Sequence, residues 1–85
     1  MPYIKFENRV KYDKALNDLS NIETKGDLEY CVFRLMQNYR LIHGEKYAQL
    51  HDCVYAVQHC SDEFRRRFLD IREDQARKEN GDINV

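Results

Sequence analysis

Six side chains in the 85-residue sequence are of the types that ligate metals or act as nucleophiles: Cys31, Cys53, Cys60, His43, His51 and His59. A metal site needs several such groups converging on one point. No CxxC or HExxH spacing occurs to bring them together within one element. His51, Tyr55 and His59 share a helix face, but the two histidines stand two turns apart. His59 and Cys60 are neighbours, so on a helix their side chains diverge by about 100°, and adjacency does not make a nucleophile–base pair. Gly26, Gly44 and Gly81 are isolated, so no glycine-rich phosphate loop exists. The sequence therefore assigns no catalytic residue, no metal ligand and no cofactor, and a non-enzyme is expected. Free cysteines usually fill space as small hydrophobes. An odd number of them without paired spacing argues against a disulfide framework and for a reducing, cytoplasmic setting.

The densest charge is Arg65-Arg66-Arg67, with Arg72 one heptad beyond Arg65. Arg66 and Arg67 have acids one turn earlier, in Asp62 and Glu63. Arg65 and Arg72 line the edge of an apolar seam, where an assembled helix would meet a partner chain. A guanidinium offers phosphate a bidentate fork. The commoner alternative is a solvated face with ion pairs between chains. Six Tyr and four Phe exceed what the apolar stripes accommodate. Tyr30 and Tyr55 lie beside those stripes, where an aromatic ring suits either base stacking or a protein interface. Arg65, Arg66, Arg67, Arg72, Tyr30 and Tyr55 are accordingly the candidate ligand-binding set. Asp62, Glu63 and Asp70 leave this region little net positive field, which disfavours nucleic acid.

Composition narrows the fold. Fourteen Lys and Arg against fifteen Asp and Glu give a net charge of −1, with 42% hydrophobic and 34% charged residues. This excludes a basic nucleic-acid coat and a disordered acidic tail. One Pro and three Gly disfavour turn-rich β architectures. No apolar run reaches the ~20 residues of a membrane span, and the opening has no apolar signal region. A single domain over residues 1–85 is expected, since this length leaves no room for a second.

Periodicity predicts three helices, over about residues 7–21, 25–43 and 45–79. Val10, Ala15, Leu16, Leu19 and Ile22 give the first its stripe. Thr24, or alternatively Asp27, caps the second, and Gly44 suits its C-terminal turn. Tyr47, Leu50, Val54, Val57, Phe64, Phe68 and Ile71 form a heptad seam along the third, with Ser61 in the one skipped place. Asp62→Arg66, Glu63→Arg67, Glu73→Arg77 and Asp74→Lys78 place acids one turn ahead of bases. Short links make the neighbours antiparallel. The expectation is an all-α, three-helix antiparallel arrangement with a long C-terminal helix.

At 1.5 Å per residue, the third helix is about 51 Å long and the second about 27 Å. Phe64, Phe68, Leu69 and Ile71 then fall on an overhang. Burying each is worth about 1.5–3 kcal/mol. They are expected to pack on another copy, giving a helical dimer or tetramer. The competing expectation is a break near Ser61-Asp62 that folds the second half back as a fourth helix.

Three segments resemble a small uncharacterised family found in tailed phages and prokaryotic genomes. They are Met1-Pro2-Tyr3-Ile4, Gly26-Asp27-Leu28-Glu29-Tyr30, and Glu63-Phe64 through Arg66-Arg67 to Glu73-Asp74 and Glu79-Asn80-Gly81-Asp82. The resemblance implies a phage-type accessory protein in the host cytoplasm, and no particular reaction. Two functional expectations follow. One is a counter-defence protein that sequesters a cyclic nucleotide immune signal in a homo-oligomer. The other is an inhibitor or adaptor that binds a host defence effector or nuclease.

Overall fold

The computed structural model describes residues 2–83. Met1 of the opening motif, together with Asn84 and Val85, lies outside the described residues. The described chain contains helix and no strand: α1 (Phe6–Asp18), α2 (Lys25–His43), α3 (Tyr47–Phe64), a π turn (Arg65–Leu69) and α4 (Asp70–Asn80). The last three are continuous and make one long helix of 34 residues.

Each boundary has a local cause. The α2 cap is Thr24, whose hydroxyl accepts from the Asp27 N–H at 3.0 Å. Asp27 itself supplies charge at the positive end of the helix dipole. Gly44 closes α2 at φ 98°, a left-handed conformation natural to glycine. Gly81 does the same for the long helix at φ 90°. α1 ends at Asp18, where the N–H groups of Leu19 and Ser20 bond back to Leu16 and Asn17 and curl the chain into a turn.

α2 and α3 form an antiparallel hairpin. Val32 and Met36 on α2, and Cys53 and Val57 on α3, are half-buried in its seam, and the Cys53 thiol reaches the Met36 carbonyl at 3.7 Å. The seam thus uses Cys53 where the heptad reading places Val54, which is 52% exposed. Tyr47 also leaves the seam. It is 81% exposed and stacks along α3 on His51.

α1 stands apart, bringing no Cα within 8 Å of α2 or of the long helix. At 100° per residue, Val10 falls on one side of α1, and Tyr12, Leu16 and the C-cap residue Leu19 on the other, so the expected single stripe from Val10 to Ile22 is divided between two sides.

The chain does not break at Ser61. Instead the helix widens four residues later, where the Asp70 N–H bonds back five residues to the Arg65 carbonyl. This extra residue turns everything beyond it by about 100°. Phe68 stacks on Phe64 at 4.8 Å between ring centroids, and the added rotation takes Ile71 out of the heptad line.

The result is an open molecule. No described residue is fully buried, and the accessible surface is 8106 Å², whereas a folded monomer of this mass exposes about 5,400 Å². The radius of gyration is 16.8 Å, against about 12 Å for a compact domain of this length.

Candidate functional site

The arginine cluster lies on the π turn, where a short N-terminal arm docks. The arm, residues 2–5, crosses the long helix and is held by Tyr3. The Tyr3 hydroxyl donates to Glu63 Oε1 at 3.2 Å and accepts from Arg67 Nη1 at 3.1 Å. The same Glu63 oxygen receives Arg66 Nε at 3.1 Å and Nη2 at 2.5 Å. Glu63 is the hub and its side chain is only 18% exposed. Its carboxyl is held below the usual carboxylate range, chiefly by the Arg66 hydrogen bond, with help from Tyr3 and from the charges of Arg66 and Arg67 against the cost of desolvation. The same bond holds Arg66 more firmly protonated.

The other two arginines are freer. Arg65 Nε lies 4.0 Å from Asp70, a loose surface pair worth little. Arg72 forms no ion pair among the described residues. None of the four acid-before-base pairs expected at four-residue spacing forms among the described residues. Glu63 and Asp74 pair instead with Arg66 and Arg77 three residues on, while Arg67 turns to Tyr3 and its guanidinium lies 5.7 Å from the Phe68 ring centroid.

Two open recesses flank the arm. One, of about 290 Å³, is bounded by Pro2, His59, Asp62, Glu63 and Arg66. The other, of about 280 Å³, lies over Cys60, Phe64, Arg67 and Phe68. Phosphate approaching here meets the guanidinium groups of Arg66 and Arg67 beside the carboxylates of Asp62 and Glu63. An anion would bind by taking Arg66 or Arg67 from its internal partner.

The two tyrosines of the candidate set lie elsewhere. Tyr30 accepts a hydrogen bond from Arg34 Nη1 at 3.0 Å on α2, and the Arg34 guanidinium lies 5.9 Å from its ring centroid. Tyr55 belongs to a ladder on the side of α3 turned away from α2. Tyr47, His51, Tyr55 and His59 follow one another with ring centroids 5.6, 4.2 and 6.4 Å apart. Only His59, at its end, borders the Arg66 recess. The structure therefore gathers Arg66 and Arg67 around Glu63 and Tyr3, and leaves Arg65, Arg72, Tyr30 and Tyr55 outside. Sequence reasoning missed Tyr3 as the clamp because its partners are 60 and 64 residues away. The ladder was legible, since every member is four residues from the next.

The predicted interface residues are open: Phe64 is 65%, Phe68 52%, Leu69 50% and Ile71 53% exposed. Among the described residues, no three His, Cys, Asp or Glu side chains form a group able to hold a metal ion, and no helix is long and apolar enough to cross a membrane.

No curated protein and no solved structure matches the chain. The model of the family described as a domain of unknown function (DUF6899) matches residues 1–83, and the chain belongs to that family.

Proposed function

We propose that this protein is a non-catalytic binding protein that self-associates along its long helix and holds a phosphate-bearing small molecule at its arginine-rich π turn. The observation that carries the reading is the open surface. One chain exposes 8106 Å², with no fully buried residue among those described, about 2,700 Å² beyond what a monomer of its mass exposes. Obligate homo-oligomers bury 2,000–5,000 Å² or more per interface, counted over both partners. Phe64, Phe68, Leu69 and Ile71 supply the apolar part nearest the arginines, so association there sets Arg65 and Arg72 beside the joint. The ligand class is a cyclic nucleotide. Its phosphates suit the guanidinium forks, and the phage-type resemblance of the sequence supports sequestration of an immune signal in the host cytoplasm.

The test has two readings. Light scattering is expected to return a multiple of the 10.3 kDa chain mass, and calorimetry with a panel of cyclic nucleotides is expected to give heat that Arg66→Gln abolishes. A single-chain mass, or no heat across the panel, counts against the proposal. The Tyr47–His51–Tyr55–His59 ladder favours a second reading, an inhibitor or adaptor of a host defence effector or nuclease, because aromatic side chains are enriched at protein interfaces. A stoichiometric host protein in a pull-down, with no bound nucleotide, would decide for it.

A further inference from the structure

The hairpin has an empty groove. Val32, Leu35 and Met36 of α2 and Cys53, Val57 and Cys60 of α3 line a cleft of about 550 Å³. In a three-helix arrangement a third helix fills such a cleft. The one available within the chain, α1, stays away from it.

The tethers of α1 explain why its own chain cannot easily seat it there. The arm before it is fixed to Glu63 and Arg67 through Tyr3, and α2 starts opposite the same stretch of the long helix in the antiparallel register. Both tethers therefore lie at one end of the groove. A helix of 13 residues is about 20 Å long. Returning from its far end would take all six residues 19–24 fully extended, about 20 Å. Residues 19–21 are instead curled in a turn.

A second copy is under no such restraint. Tyr12, Leu16 and Leu19 share one face of α1 and are 56%, 53% and 43% exposed. From Tyr12 to Leu19 is seven residues, and so is the span from Cys53 to Cys60 along the groove. The surplus of exposed surface points the same way. It is about 2,700 Å² per chain against the compact expectation, more than the four half-exposed side chains of the overhang can present. The α2–α3 groove is a second, largely apolar surface that assembly can cover.

We infer that α1 of one copy seats Tyr12, Leu16 and Leu19 in the α2–α3 groove of another, so that the assembly is built by exchange of the first helix. This deepens the self-association proposed above and fails separately from it. Tyr3 then serves as the strap that directs α1 outward, towards a neighbouring chain.

The test is a thiol cross-link. In a chain carrying Cys31→Ser and Cys60→Ser, Cys53 is the one groove thiol, and Leu16→Cys adds a second on α1. A short bis-maleimide is expected to double the mass of the band on a denaturing gel. The parent without Leu16→Cys is expected to stay at the mass of one chain. If Leu16→Cys does not assemble like its parent, Leu19→Cys takes its place. An assembled protein that yields only a link within one chain, or no link between positions 16 and 53, overturns the exchange and leaves self-association standing. A particle of one chain overturns both.

Discussion

Glu63 shows how much rests on one carboxylate. It accepts from Arg66 and Tyr3, and Tyr3 in turn receives Arg67, so arm, helix and guanidinium groups share a single acceptor. Its pKa is lowered on folding from an ordinary value of 4.5. A lowered carboxylate stabilises the folded state fully above the ordinary value and loses that contribution as pH falls through the lowered one. The melting temperature of the native protein should therefore fall more steeply below about pH 4.5 than that of Glu63→Gln, and parallel curves would remove Glu63 from its role as hub. Gln49 makes a second residue-scale prediction. Its Oε1 is shut from water with no hydrogen-bond partner, and such an orphan costs about 1–3 kcal/mol. Gln49→Met is expected to raise stability by about 1 kcal/mol in a denaturant titration. A loss instead would mean that the oxygen finds its donor in the assembled protein.

At the scale of the element, local chemistry decides the ends and long-range geometry decides the faces. Thr24 and Gly44 bound α2 by interactions within four residues, which is why that helix is readable from the sequence. Thr24→Ala should cost about 1 kcal/mol, seen as a lowered midpoint of unfolding, with the helix otherwise intact. The faces are less legible. A strict heptad assigns Tyr47, Val54, Val57 and Ile71 to one seam; Val57 does meet α2, but it does so beside Cys53 and not Val54, and the π turn rotates all that follows it. The Arg65-Arg66-Arg67 run marks the place without revealing the wider turn, because a π turn depends on five-residue hydrogen bonds that no spacing of side chains announces. Such turns recur at functional sites, and here the widened turn carries the arginines, the Phe64–Phe68 pair and the docked arm together.

At the scale of the molecule, the decisive quantity is exposed surface. An 85-residue chain with nothing fully buried among the described residues lacks the apolar burial that offsets the entropy of folding. The long helix should therefore lose its helical signal when assembly is prevented. Phe64→Asp places a charge on the exposed Phe64–Phe68–Leu69 patch and is expected to reduce the particle to a single chain by light scattering, with a parallel loss of circular dichroism at 222 nm. An unchanged mass would shift the joint away from this patch.

By itself the sequence determined the helical class, the end of α2 at Gly44 and the apolar residues beyond Ser61. All of these follow from residue types and spacings within one or two turns. The choice of Thr24 over Asp27 as cap and the continuity of the helix through Ser61 came from the structure. Only the tertiary structure decided that α1 stands off from the hairpin, that Tyr3 straps the arm to Glu63 and Arg67, and that Tyr30 and Tyr55 lie outside the arginine cluster. Those outcomes depend on partners as far as 64 residues away and on the rotation of one helix turn, and neither is encoded in the local pattern of polar and apolar residues.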